Sequence, residues 1–484
     1  MAEPHSSLDV LIVGGGISGV SMAWHLAKRL PHKRFAVLER RANLGGTWDL
    51  FRYPGIRSDS DMYTLGFSFR PWTARKAIAA GPDILAYVNE TADTGGLRQH
   101  VRFNTEMVRA DFDSARAVWR VEARHTETGE TQIIEARFLA TCSGYYAYDA
   151  GYLPEFAGLS SYRGLHIHPQ HWPDGADLTG KRVVVVGSGA TAVTLVPALA
   201  ETAAHVTMLQ RSPTYMASRP SEDGFARLLQ RVLPAGVAYG VTRWKNILEQ
   251  QFVFFMARKR PKQVAERIMT LAKAELPKDF DAETHLKPNY NPWDQRLCLV
   301  PDNDLFRAIS SGKADIVTDT IATFTPTGLR LASGRELDAD VVVTATGLKL
   351  QLFGGAEVAV DGKLIHAPDL RVYKGMMWSG VPNLSVTFGY TNASWTLKAD
   401  LTSAYVCRLL KHMDRTGARI ATPTPQGAVG DAPFVDFSSG YFQRAAAILP
   451  RQGDRAPWRL HQNYFRDLMN LRYGPVEDGV MQLR

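Results

Sequence analysis

Two glycine-rich turns hold the residues in this 484-residue chain whose types and spacing most directly imply chemistry. In the first, the apolar run Asp9 to Val13 ends in Gly14-Gly15-Gly16-Ile17-Ser18-Gly19, a helical pattern follows from Val20 to Leu30, and Phe35 to Leu38 reads as a second strand. Strand, G-x-G-x-x-G, helix, strand is a unit for holding a dinucleotide. Gly14 permits the tight turn, Gly16 lets backbone approach a pyrophosphate at the helix N-terminus, and Gly19 lets helix and strand pack closely. Glu39 closes the second strand, where an acid accepts from ribose hydroxyls.

The pattern recurs. Lys181 to Val186 runs into Gly187-Ser188-Gly189-Ala190-Thr191-Ala192, a helical stretch and the strand Val206 to Leu209. Ala192 replaces the third glycine, which the motif tolerates, and Gln210-Arg211-Ser212 stands where the acid was. A cation and a hydroxyl suit a 2′-phosphate that an acid would repel. The first unit is therefore read as a site for FAD and the second for NADPH, with a solvated surface position as the plainer account of Arg211.

Several further groups need positioning. Gly45 to Asp59 packs two glycines, a tryptophan, a Tyr-Pro-Gly turn, arginines and acids into a segment too polar for core and too broken for a long helix, so it is expected to lie against something. His166, His168 and His171 invite a metal, but no fourth ligand converges on them, and structural or linker-pinning roles are expected instead. Gly389 to Trp395 precedes a helical run from Thr396 to Met413. Its N-terminus is read equally as an anion-facing end or a plain cap.

The elements that must hold these groups alternate strand and helix. Leu139 to Gly144 and Val341 to Gly347 are alike and bracket the second unit, consistent with one domain inserted into another and a hinge at the crossings. The expected fold class is α/β, with two Rossmann-like dinucleotide-binding domains, the NADPH domain inserted into the FAD domain, and a helical insertion. Residues 1–145 and 348–484 are assigned to the FAD domain, 146–217 and 291–347 to the NADPH domain with its linkers, and 218–290 to the insertion. There Trp244, Ile247, Leu248, Gln251, Phe252, Phe255 and Met256 fall at helical spacing before the basic run Arg258 to Lys262. Cover over an active site is the expected role. Docking on an anionic membrane surface is the lesser alternative.

Composition excludes several classes. A net charge of +8 is spread along the chain and fits phosphate binding rather than nucleic acid. Cys142, Cys298 and Cys407 form no C-x-x-C pair, which argues against a dithiol reductase, a disulfide scaffold or a zinc site. The short polar start leads straight into a strand, and no apolar run approaches the ~18 residues of a membrane span, so a cytoplasmic protein without a signal peptide is expected.

At this point the sequence resembles the Baeyer-Villiger monooxygenases within the flavin-containing monooxygenase group. Gly45, Gly46, Trp48, Tyr53, Pro54, Gly55 and Asp59 match that family's G-G-x-W, Y-P-G and D pattern, and Tyr162 to Pro173 matches F-x-G-x-x-x-H-x-x-x-W-P, with Tyr162 for the usual Phe. The likeness covers nearly the whole chain and is nearest to the thioamide-prodrug-activating subgroup. It implies that Ser18, Glu39, Gly46, Thr47, Trp48, Asp49, Leu50, Asp59 and the backbone near Met107 hold FAD. It likewise implies that Gly187 to Ala192, Arg211 and Ser212 hold NADPH.

Arg296 falls where the family places its active-site arginine, which Asp59 would orient; an interdomain salt bridge is the alternative. Gln295 stands where many relatives have Lys, so NADPH preference rests more on Arg211. The implied chemistry is insertion of one oxygen atom beside the carbonyl of hydrophobic ketones through a flavin C4a-peroxide, with S-oxygenation of thioethers or thioamides. The alternatives are a heteroatom oxygenase with little ketone activity and a flavin-binding sensor that has lost turnover. The implied partners are a small hydrophobic ketone or sulfur-containing substrate and molecular oxygen.

Overall fold

The computed structural model describes residues 7–295, 297–435 and 439–484. Leu8–Val13 pairs in parallel with Phe35–Leu38 on one side and Thr131–Thr141 on the other, with Val13 opposite both Leu38 and Thr141. Its near-continuous apolar run follows from burial on both faces. From there an antiparallel meander, Thr105–Asp113, Val118–His125 and Thr131–Thr141, extends the sheet, which has nine strands among the described residues. Leu384–Val386 returns late in the chain to pair in parallel with Thr131–Thr141.

The second nucleotide unit is a separate, wholly parallel sheet of five strands among the described residues. Its order is Ala314–Thr318, His205–Gln210, Arg182–Val186, Val341–Thr344, Leu165–Ile167. Two Rossmann-like units, the second inserted into the first, thus form an α/β molecule with a helical insertion.

The chain leaves the first unit through Tyr146–Gly151 and re-enters through Leu348–Leu350, and these two crossings pair antiparallel. Residues 147 to 180 read as loop-rich in sequence, yet this connection begins as a ribbon. Thr346 Oγ1 donates to the Tyr152 carbonyl at 2.6 Å and Tyr152 N to the Gly347 carbonyl at 3.0 Å, fastening the two passages together.

The insertion forms the helices Gly224–Val232, Ala235–Lys259 and Pro261–Ala274. Its apolar stripe is not where the periodicity puts it. Of the seven stripe residues only Ile247 is buried, and the buried face of the long helix carries Tyr239, Thr242, Arg243 and Asn246. The reason lies in the surface it meets. The turn Tyr63–Gly66 presents backbone carbonyls, and Arg243 Nη1 donates to those of Tyr63 and Gly66, each at 2.7 Å. Arg243 Nη2 also lies 3.8 Å from the Asp400 carboxylate. Burial pushes the Asp400 pKa up, but His25, Arg243 and the Ser68 amide outweigh it and bring the group to about 2.

Candidate active site

The two glycine turns are the same construction. Gly14 adopts φ +102°, and a Cβ there would stand 2.6 Å from the Cys142 carbonyl oxygen; Gly187 adopts φ +142°, and its Cβ would stand 2.5 Å from that of Ala345. Each turn thus presses on the end of a neighbouring parallel strand, a placement open to glycine alone. Beneath the first turn, a Cβ on Gly19 would lie 1.8 Å from the Gly14 carbonyl oxygen. Gly189, in contrast, has no heavy atom within 4 Å of a Cβ position and faces open space.

The strand ends differ as their residue types require. Glu39 is buried, accepting from Gly15 N at 2.7 Å and Arg41 N at 2.9 Å. Burial raises its pKa, and those amides together with the Arg41 charge oppose the rise. In the second unit Gln210 turns inward to the His285 carbonyl and Thr318 hydroxyl, while Arg211 is exposed. Ser188 Oγ donates to the Ser212 carbonyl at 3.0 Å, tying the turn to the strand end.

Gly45 to Asp59 lies between the two turns. Gly45 N donates to the Gly15 carbonyl at 3.1 Å, placing Gly46 and the short helix Thr47–Leu50 against the first turn. Farther on, Leu50, Phe51 and Tyr53 join the second unit's core. Gly55 packs so closely on that unit's first helix, Ala190–Leu199, that a Cβ would stand 2.7 Å from Ala198 Cβ. The Tyr53 hydroxyl meets the Thr191 side chain, and burial pushes the phenol up to about 12.

A single cavity of about 550 Å³ joins the two turns. Gly14, Gly16, Ser18, Glu39, Gly46, Thr47, Trp48, Asp59 and Met107 line it from the first unit, and Ser188, Gly189, Ala190, Thr191 and Ser212 from the second. Six other expected binding residues stand outside its lining. Gly19 and Gly187 support their turns, and Ala192 and Leu50 are core. Asp49 is buried beneath the stretch, accepting from Arg41 Nε at 2.7 Å and Arg52 Nη2 at 3.2 Å. Arg211 is exposed. Arg296 lies outside the described residues, although Gln295 and Cys298 beside it line the cavity.

The three histidines separate. His166 Nε2 is bonded to Thr344 Oγ1 at 3.1 Å and His171 Nε2 to the Asp149 carbonyl at 3.0 Å, while the His168 ring covers Gly151 on the crossing ribbon. No metal-holding cluster occurs among the described residues.

Several lining residues carry no sequence expectation. Arg57 is part-buried in the cavity wall with Nη1 donating to Asp304 Oδ2, and its Nε and Nη2 make no hydrogen bond among the described residues. Burial raises the Asp304 pKa against the pull of Arg57. Its signal was the charged run Arg57-Ser58-Asp59. Trp395, at the start of the helix Trp395–Thr416, donates from Nε1 to Ser18 Oγ at 2.7 Å. Ser394 is the N-cap residue of that helix, with its hydroxyl bonded to Thr64 Oγ1 at 2.6 Å and not to a first-turn amide. Ser439 and Tyr441 reach the cavity from the irregular C-terminal part, where no periodicity pointed to them.

The residues present fit two dinucleotides. Two glycine turns open on one cavity, a carboxylate stands at one strand end and a cation at the other. The family described as flavin-binding monooxygenase-like matches residues 78–376, and an NAD(P)-binding Rossmann-like domain matches residues 12–75. This chain belongs to the flavin-binding monooxygenase-like family.

Two relatives align over most of its length. It is 55% identical to the FAD-containing monooxygenase EthA of Mycobacterium tuberculosis (strain ATCC 25618 / H37Rv), covering 97% of this chain and 96% of the relative. It is 46% identical to the probable FAD-binding monooxygenase AlmA of Acinetobacter baylyi, covering 98% and 95%. The fold is shared with an oxidized steroid monooxygenase bound to NADP, at TM-score 0.73 and 24% identity over 87% of this chain and 88% of that one. An open cyclohexanone monooxygenase matches at TM-score 0.73 and 21% identity, over 87% and 90%. This flavin-binding monooxygenase is accordingly an oxidoreductase built on the two-Rossmann plan.

Proposed function

We propose that this flavin monooxygenase uses FAD and NADPH to insert one oxygen atom beside the carbonyl of hydrophobic ketones, giving esters or lactones, and to oxygenate thioether or thioamide sulfur. One observation carries the reading: a single cavity joins both glycine turns and is walled by Tyr145, Tyr146, Phe353, Tyr390, Trp395 and Tyr441. Per turnover, substrate, O2, NADPH and a proton give oxygenated product, NADP+ and water. Bound FAD supplies the two-electron relay from NADPH and the activation of oxygen.

The protein's own groups bind, orient and exclude water. The Gly14 to Gly19 turn with its helix dipole takes the FAD pyrophosphate, Glu39 faces the ribose, and Ser18, Gly46 to Trp48, Asp59 and the Met107 backbone complete the wall. Asp49 and Leu50 hold that wall from behind. The turn Gly187 to Ala192 takes the NADPH pyrophosphate, and Arg211 with Ser212 the 2′-phosphate. Arg296 supplies a permanent positive charge to the oxyanion that develops when a carbonyl is attacked, and Asp59 orients it. The FAD domain is assigned to 1–145 and 348–484, the NADPH domain to 146–217 and 291–347, and the insertion to 218–290.

The test is product analysis under NADPH and oxygen with linear, cyclic and aryl ketones and a thioether. Esters from the ketones are expected. Sulfoxide with no ester would replace this reading by a heteroatom oxygenase. Arg296→Ala is expected to retain FAD and its reduction by NADPH while ester formation falls on the order of 10² or more; unchanged turnover removes the oxyanion role.

A further inference from the structure

We propose that the outer face of the insertion helices Gly224–Val232 and Ala235–Lys259 docks on an anionic lipid surface. Along the long helix Val237, Val241, Trp244, Leu248, Phe252 and Phe255 recur every three or four residues, so they share one face. All six are exposed, Phe252 by 63%. The preceding helix adds exposed Phe225, Leu228 and Val232. This long helix turns Thr242, Arg243 and Asn246 to the protein beside Tyr239 and Ile247, and Trp244, Phe252 and Phe255 to solvent. An apolar surface of this extent marks an interaction site rather than a surface residue or two.

The charge around it selects the occupant. Lys259, Arg260 and Lys262 are exposed at the far end of the long helix, with Lys259 Nζ 5.5 Å above the Phe255 ring, and Arg231 is exposed near the other end. Between Gly224 and Arg260 the sole acid is Glu249, held by Lys245 at 3.2 Å and Arg219 at 3.5 Å. A second copy seated on this face would set one basic rim against another, with Glu249 of the two helices already paired. Anionic headgroups complement it, and the aromatic and aliphatic side chains suit the headgroup–acyl boundary. Trp244, ring-packed on Tyr464 and Phe465, carries the face towards exposed Met469 and Tyr473. No helix among the described residues is long and apolar enough to cross a membrane, so these helices lie along the surface.

The experiment is flotation of the full-length, FAD-loaded protein with vesicles of phosphatidylcholine alone and of phosphatidylcholine with phosphatidylglycerol. Binding to the anionic vesicles, little to the neutral ones and release by salt are expected. Phe252→Glu and, separately, Leu248→Glu are each expected to weaken binding on the order of tenfold, as is Lys259→Glu with Arg260→Glu, without change in thermal midpoint or solution turnover. No flotation with anionic vesicles, or flotation indifferent to all three variants, overturns the proposal. A dimer in sedimentation velocity that Phe252→Glu dissolves, with no vesicle binding, assigns the face to a second copy and overturns it equally.

Discussion

Gly19 and Gly189 carry the same residue type for opposite reasons. A methyl group on Gly19 collides with the Gly14 carbonyl oxygen at 1.8 Å, so Gly19→Ala must push the first helix off its strand. The expected cost is about 1–3 kcal/mol or more in a denaturant titration, with reduced FAD content. At Gly189 the same methyl group meets nothing in the protein. Gly189→Ala is therefore expected to keep thermal midpoint and FAD content while, on the proposed assignment of this turn to NADPH, the KM for NADPH rises. Arg211→Ala is expected to raise the KM for NADPH about tenfold or more and leave that for NADH nearly unchanged. Steady-state kinetics with both reductants reads each effect.

At the scale of elements, the insertion is fastened by the buried Arg243 together with hydrogen bonds from Tyr239, Asn246 and Gln250. Removing Arg243 takes this donor from the Tyr63 and Gly66 carbonyls and leaves Asp400 to Ser21, His25 and the Ser68 amide. Arg243→Leu is expected to cost about 3–5 kcal/mol, read as a fall in denaturation midpoint. The connection between the units carries a different sensitivity. Burial holds the pKa of His166 and His168 below the ordinary 6.5, so the unfolded chain takes up their protons first. Stability is complete above 6.5 and falls as pH drops below it. His166→Asn, able to keep a hydrogen bond to Thr344, is expected to flatten that fall in urea titrations across this range; an unchanged slope assigns it to other groups.

For the molecule as a whole, Gly45 to Asp59 is the strap between units, resting on the first turn at Gly45 and on the second unit's helix at Gly55. Gly55→Val places branched carbons against Ala198 and Thr194 in a backbone with φ +75°. The strap must then lift from the second unit while its Gly45 end stays paired. The expected result is normal FAD content with slower flavin reduction by NADPH in stopped flow, because the units no longer meet in register. An unchanged reduction rate would show that this contact does not set their approach.

The sequence by itself determined what local sterics and periodicity encode. The two strand–turn–helix units and the acid-against-arginine contrast at the strand ends depend on residues near in sequence, and the insertion of one unit into the other on two similar segments that bracket it. Glycine placement is the sharpest of these signals, since Gly14 and Gly187 each press on a backbone that no other residue type could approach. Only the tertiary structure decided which way the insertion helix faces, because the Tyr63 and Gly66 carbonyls that Arg243 satisfies outweigh its apolar stripe. The same holds for Arg57 meeting Asp304 and for Ser439 and Tyr441 reaching the cavity from the C-terminal part. Those contacts join residues far apart in the chain, and their partners leave no periodic mark in the sequence.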